Sequence, residues 1–78
     1  MTYAQVGINT DTPNANSALD IRGNNQGIIV PKIALSSRTT TNQFAVTPQE
    51  SLLFYNTNEN VAGGKAFYFW NGNRWDFV

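Results

Sequence analysis

The side chains that perform most enzyme chemistry are missing from this sequence. It has no His and no Cys, which removes the imidazole bases, thiol nucleophiles and zinc ligands of most hydrolases and metalloenzymes. Carboxylates remain, and a pair of them could act as acid and base in glycoside hydrolysis. The five are Asp11, Asp20, Glu50, Glu59 and Asp76. Each lies in a predicted turn or beside a predicted strand without a supporting motif, so we predict that the protein is not an enzyme.

Two short motifs have the residue types of a ligand site but not its spacing. Asn9-Thr10-Asp11 offers oxygen ligands, yet it lacks the second and third acidic positions of a calcium loop. Gly63-Gly64-Lys65 lacks the four-residue spacer and the following Ser or Thr of a phosphate loop. Five Lys and Arg balance five Asp and Glu, so no basic field attracts nucleic acid. We predict no metal, no cofactor and no nucleic-acid partner.

Aromatic residues in the last quarter of the chain are the best candidates for a binding site. Tyr68, Trp70 and Trp75 share one face of a predicted hairpin and could stack on sugar rings. The polar residues at the rim of this face are Asn71, Asn73 and Arg74. Buried core residues and subunit contacts have the same appearance in a sequence, and in a small domain we favour either over a sugar site. These six residues are therefore the candidate glycan or subunit contact.

The pair Asn71-Gly72 predicts the hairpin that positions these residues. It can supply the two positive φ angles of a type I′ turn, whose two-residue loop fixes the register. Trp70 would then face Asn73, and Tyr68 would face Trp75. One face carries Ala66, Tyr68, Trp70, Trp75 and Phe77, and the other carries Phe67 and Phe69 with Arg74, Asp76 and Val78. Both faces are apolar, so we expect one to meet a neighbouring subunit or to be covered by an internal segment.

The rest of the chain reads mainly as β structure. Alternating turn residues and β-branched runs predict strands at residues 18–21, 27–33 and 51–57, with Pro31 at an edge or bend and the last strand buried on both faces. Residues 36–45 could form one or two helical turns, although three consecutive Thr oppose them. We predict a small antiparallel β domain with a C-terminal hairpin, one short helix and an irregular N-terminal arm that packs alongside. The hairpin should pair with residues 52–56.

Size and composition predict self-association. A chain of 78 residues buries only about 60 to 65% of its unfolded surface, and this chain has no disulfide or zinc site to compensate. Oligomerisation is the support that remains. Charged residues make up 13% of the chain, and eleven Asn and eight Thr supply the missing polarity. Hydration of such a surface depends little on salt, which favours an extracellular site.

Three blocks in this order resemble a known module. They are VGINTDTP with ALDI in residues 6–21, GIIVPKI in residues 27–33, and LLFYNT with YFWNGNRW in residues 52–75. Together they are similar to a recurring module of secreted Bacteroidetes surface proteins and phage tail-fibre-like proteins. Relatives tend to have a Pro-small-Gly turn before the Leu-Leu strand, whereas residues 47–51 here contain no Gly.

The resemblance implies a non-enzymatic structural or assembly module at the cell surface, outside the cell or in a phage virion. It implies contacts between copies of the chain, with a trimer favoured over a dimer because such fibres are commonly trimeric. The alternative function is a glycan-binding adhesion module. We interpret residues 1–5 as a remnant of a signal peptide or of cloning. Residues 6–78 form one module, divided into an extended arm at 6–26 and the strands and hairpin at 27–78. No stretch is long and apolar enough to span a membrane.

Overall fold

The computed structural model describes residues 5–78, so all of the predicted remnant except Gln5 lies outside the described part. The described residues form six short strands and no helix. The strands are β1 (Val6–Ile8), β2 (Leu19–Ile21), β3 (Lys32–Ile33), β4 (Leu53–Asn56), β5 (Ala66–Trp70) and β6 (Trp75–Phe77). They form a two-stranded parallel sheet, β1-β2, and a four-stranded sheet in the order β3-β4-β5-β6. The predicted β-rich class is confirmed, but the prediction of one short helix was wrong. The predicted antiparallel arrangement holds for β4-β5-β6 only, because β1-β2 and β3-β4 are parallel pairs.

The four-stranded sheet is built around the predicted hairpin. Strands β4 and β5 are antiparallel, with Phe54 opposite Tyr68, so the pairing of the hairpin with residues 52–56 is confirmed. Strand β3 is parallel to the other edge of β4. The predicted strand at 27–33 is reduced to two residues because Pro31 has no N–H to donate, although its carbonyl accepts from the Tyr55 N–H at 3.0 Å.

The hairpin has the predicted faces but not the predicted register. Trp70 lies opposite Trp75 and Tyr68 opposite Phe77, so the loop contains four residues, 71–74. Gly72 has a φ of 101° but Asn71 has no positive φ, so the turn is not type I′. Instead, the Asn71 side-chain oxygen accepts hydrogen bonds from the backbone N–H groups of Asn73 and Arg74, at 2.8 and 2.9 Å. This Asx geometry replaces the backbone turn that we predicted.

The segment predicted as a helix, residues 36–45, forms turns that lie against the edge of β6. The Gln43 side chain accepts from the Ser36 N–H and donates to the Ala34 carbonyl, both at 2.8 Å, which ties the ends of a loop together. Across the edge, Trp75 N–H donates to the Arg38 carbonyl at 2.7 Å, and Arg38 Nε donates to the Trp75 carbonyl at 2.9 Å. These bonds satisfy polar groups of the segment without helical turns, which the three consecutive Thr residues disfavour.

The hydrophobic core lies on one face of the four-stranded sheet. Its buried members are Leu35, Phe54, Val61, Tyr68, Trp70 and Trp75, with Ile33, Phe44 and Ala66 packed against them. Strand β4 is buried on this face only, because Leu53 on the other face is 47% exposed. The prediction of burial on both faces of this strand was therefore wrong for the single chain.

The N-terminal arm does not pack alongside the larger sheet as predicted. Among the described residues, β1 and β2 contact each other and no strand of the four-stranded sheet. The Cα radius of gyration is 15.5 Å, whereas a compact domain of this length has about 11 to 12 Å. The molecule is accordingly a flat slab of 42 × 34 × 18 Å.

Ser51 lies in the turn before β4 and has a backbone conformation that favours glycine. Its φ is 82°, a conformation that costs a residue with a Cβ on the order of 1 kcal/mol. Its N–H donates to the Trp70 carbonyl at 2.7 Å, which holds the turn against β5. We expect Ser51→Gly to raise the free energy of unfolding by about 0.5 to 1 kcal/mol, because strain is relieved at the expense of a more flexible unfolded chain.

Urea unfolding at a fixed protein concentration measures this change, with Ser37→Gly as the matched control. Ser37 is exposed and has no positive φ, so its replacement should only add unfolded-state entropy and lower stability slightly. Equal destabilisation by both variants would show that Ser51 is not strained.

Candidate oligomerisation surface

The aromatic residues that we predicted as a contact site are inside the protomer. Tyr68 and Trp75 have no exposed surface, and Trp70 is 6% exposed. Tyr68 donates its hydroxyl to the Ala62 carbonyl at 2.6 Å, and the Trp75 indole donates to the Thr40 carbonyl at 2.8 Å. The rings therefore serve the core of the protomer, and their faces are not open to a sugar or to a second subunit.

The polar rim residues belong to a hydrogen-bonded loop around Asp76. Asn71 Nδ2 donates to Asp76 Oδ2 at 2.8 Å, and Asp76 Oδ1 lies 3.2 Å from Arg74 Nε and 2.8 Å from Arg38 Nη2. Asn73 and Arg74 are exposed, and Asn71 is partly exposed. Contact of these three residues with a glycan or a subunit stays a prediction.

Two carboxyl groups have lowered pKa values, the opposite of what a general acid needs. A hydrogen bond from Arg22, supported by one from the Asn14 N–H, lowers the pKa of Asp20. A hydrogen bond from Asn71, supported by the charges of Arg74 and Arg38, lowers the pKa of Asp76 against the opposing effect of burial. A catalytic acid at neutral pH has a raised pKa. Both groups are held as carboxylates that tie loops to strands.

The side of the four-stranded sheet opposite the core is apolar and partly exposed. Its four large side chains, here called the outer face, are Leu53, Tyr55, Phe67 and Phe69. Leu53 pairs with Phe69 and Tyr55 with Phe67, and the rings of the second pair lie 5.3 Å apart. Leu53 is 47% and Phe67 43% exposed. The second apolar face predicted for the hairpin therefore exists, and no segment in the described part of the chain covers it fully.

A groove extends the outer face along the segment before β3. It has a volume of about 340 Å³ and is lined by Ile28, Ile29, Val30, Lys32, Tyr55 and Phe67. Ile29 is 85% exposed, although a monomer gains nothing from displaying so large an aliphatic side chain to water. The groove and the outer face together form one partly exposed apolar surface, and a surface of this kind marks a site of contact with another protein chain.

The arm sheet has a second apolar surface. The register of β1 and β2 places four aliphatic side chains, here called the arm face, on one side: Val6, Ile8, Leu19 and Ile21. All four are between 40 and 54% exposed. The opposite side is covered by the arm's own loop, where a Cβ on Gly7 would lie 2.6 Å from the Thr10 carbonyl oxygen and 2.8 Å from the Pro13 ring.

Sequence reasoning missed most of this surface. It assigned Phe67 and Phe69 to an apolar second face, but it did not select Leu53, Tyr55 or the arm face. A detectable signal was the pair of triplets VGI and LDI in the arm. In each triplet the first and third residues are aliphatic, so in a strand both side chains lie on the same side. The turn-rich composition around those triplets obscured it.

An extended slab with an inner aromatic core and exposed apolar faces is typical of a structural module that assembles with copies of itself. The profile of the protein family described as phage tail like trimerisation region matches residues 7–78. The chain belongs to this family. No curated protein and no solved structure matches it.

Membership of this family confirms the coarser predictions made from sequence. The chain is a structural, homo-oligomerising module of the phage tail-like kind, and the family is a structural one. The resemblance to phage tail-fibre-like proteins is confirmed, whereas an origin in Bacteroidetes surface proteins stays a prediction. Within residues 5–78 no helix is long and apolar enough to cross a membrane.

Proposed function

We propose that this chain holds three copies of a phage tail-like structural protein together, using the outer face as the subunit interface. The single observation that carries the proposal is the outer face itself. It consists of large apolar side chains, two of them more than 40% exposed, on a sheet whose other side already carries the complete core. Closed cyclic assembly is the ordinary way in which copies of one chain cover such a surface.

The electrostatics of the outer face are compatible with close approach of copies. Lys32 lies opposite Tyr55 in the sheet and Asp76 lies opposite Phe69, so one cation and one anion flank the apolar centre on opposite sides. Asp76 forms ion pairs with two arginines of its own chain. An apolar centre with a charged rim is the arrangement found in stable protein interfaces.

The role that follows is mechanical. Three chains joined at this module would be held in register, so that whatever each chain carries beyond it projects from one rigid point. A virion or an extracellular fibre is the setting that we propose, because the matched family is phage tail-like. We do not propose sugar stacking by Tyr68, Trp70 and Trp75, since all three rings are buried.

We expect the chain to sediment as a trimer, at three times the 8.6 kDa protomer mass, and Phe67→Lys to weaken that trimer. Burial of a Phe side chain contributes about 1.5 to 3 kcal/mol, so its loss from each interface should weaken each contact about 10- to 100-fold. Sedimentation equilibrium and native mass spectrometry across a concentration series measure the change.

Val46→Lys is the matched control, because Val46 is also exposed, at 78%, but belongs to neither apolar face. It should leave the trimer intact. Fluorescence of the buried Trp70 and Trp75 reports whether the Phe67→Lys protomer is still folded. A stable, folded monomer of the unaltered chain at micromolar concentration would contradict the proposal, as would equal effects of the two lysine variants.

A further inference from the structure

We propose that the arm sheet forms a second core of the assembly, in which the arm faces of three copies pack against one another around the threefold axis. The inference rests on the proposed trimer and adds the partner of the arm face: the same face of the other two copies. The starting observation is that one side of the arm sheet is covered by its own loop, and the aliphatic side is open.

The arm sheet needs such a partner in order to persist as a sheet. A two-stranded sheet of three residues per strand is only marginally stable in water on its own. Its loop is well anchored, since the Asn14 N–H donates to Asp20 Oδ2 at 2.8 Å and Gln5 Nε2 donates to the Asn14 carbonyl at 2.9 Å. What it lacks is a hydrophobic layer on the other side, and none of the strands in residues 5–78 supplies one.

The composition of the arm face suits contact with copies of itself. It contains only aliphatic side chains, so three such faces can meet without placing like charges together. Asp20 lies on the opposite side of β2 from Leu19 and Ile21, and it pairs with Arg22 at 2.9 Å. Surfaces that carry a net charge repel their own copies, and the arm face carries none.

The position of the arm face relative to the outer face favours one common axis. Ile28 lines both the groove beside the outer face and a second groove of about 460 Å³ that also includes Ile8 and Ile21, together with polar residues such as Asn9, Arg22 and Gln26. The two apolar surfaces therefore adjoin at Ile28. A single threefold axis along the slab can cover both, with arm packed on arm at one end and sheet packed on sheet at the other.

A cysteine substitution tests the contact directly, since the chain has no cysteine of its own. In the complete chain, Leu19→Cys should form a disulfide with Leu19→Cys of another copy under mild oxidation. Three thiols around one axis can pair only two at a time, so we expect covalent dimers that contain up to two of every three chains. Thr12→Cys is the matched control, because Thr12 is exposed in the loop covering the opposite side.

Non-reducing electrophoresis, combined with the native mass of each variant, separates the outcomes. A trimer without a cross-link at Leu19→Cys overturns this inference and leaves the proposed function standing. A monomer contradicts the proposed function as well. A cross-link that forms only when Leu19→Cys and Phe67→Cys are combined would show that the arm docks on a neighbour's outer face, which also overturns the inference. Equal cross-linking at Thr12→Cys would count as random collision.

A second variant keeps the test independent of disulfide geometry. Leu19→Glu would bring three carboxylates together at the axis, so it should shift the assembly at least tenfold toward monomer at neutral pH. Thr12→Glu should not produce this shift. Restoration of the Leu19→Glu trimer at acidic pH, where the carboxylates are protonated and no longer repel one another, is the expected result. An unaltered trimer in Leu19→Glu would overturn the inference.

Discussion

Asn56→Leu is expected to lower the free energy of unfolding by at least about 3 to 5 kcal/mol, although the two side chains have the same number and branching of heavy atoms. Asn56 is fully buried at the end of β4 and is the junction of three loops. Its Oδ1 accepts from the N–H groups of Leu35 and Asn58, each at 2.9 Å. Its Nδ2 donates to the carbonyls of Asn58 and Gly64, at 2.8 and 2.9 Å.

Leucine leaves the backbone partners of Asn56 without their hydrogen bonds in a buried or partly buried place. Each unsatisfied backbone group costs about 1 to 3 kcal/mol, so the loss of four bonds should lower the free energy of unfolding by at least about 3 to 5 kcal/mol. That is a large share of the about 5 to 15 kcal/mol that stabilises a typical domain. Circular dichroism and urea unfolding at a fixed protein concentration measure it.

Asn25→Leu is the control, since Asn25 is an exposed asparagine in the turn before the groove. It should change stability by less than about 0.5 kcal/mol. If Asn56→Leu were tolerated as well as Asn25→Leu, apolar packing could replace the hydrogen bonds of Asn56. The conclusion that these bonds join the three loops would then be wrong.

The faces of the hairpin could be predicted from sequence even though its register could not. The pattern of β5 and β6 repeats every two residues, and the observed register differs from the predicted one by two residues. A shift of two moves each residue to a new partner but returns it to the same side of the sheet. The burial of Tyr68, Trp70 and Trp75 on one side therefore follows from alternation alone, whereas the loop depends on where the Asn71 side chain points.

The interior network could not be predicted, for a different reason. Asn56 is one of eleven Asn, and only the paths of the loops at Leu35, Asn58 and Gly64 distinguish it from those in turns. Similarly, a sequence shows that both faces of the hairpin are apolar but not which one the chain itself covers. That depends on the loop at residues 36–44, which lies over the Trp75 side and leaves Phe67 exposed.

The second large effect is expected at Trp75, which fastens that loop to the sheet. Its side chain is fully buried, and its ring centroid lies 5.0 Å from that of Phe44, 4.9 Å from that of Phe54 and 4.9 Å from that of Trp70. Its indole also donates to the Thr40 carbonyl at 2.8 Å. Removal of a buried Trp side chain typically costs about 3 to 5 kcal/mol, and we expect Trp75→Ala to be in this range.

Trp75→Phe separates packing from the hydrogen bond, because a phenyl ring retains most of the aromatic contacts while the Thr40 carbonyl loses its donor. We expect this variant to cost about 1 to 2 kcal/mol, well below the cost of Trp75→Ala. Urea unfolding followed by circular dichroism compares the two, and protease cleavage within residues 36–44 reports release of the loop. Rapid cleavage of the Ala variant and slow cleavage of the Phe variant are expected, because ring packing is the larger contribution. Equal stability losses in the two variants would instead assign the attachment of the loop to the single hydrogen bond at Thr40.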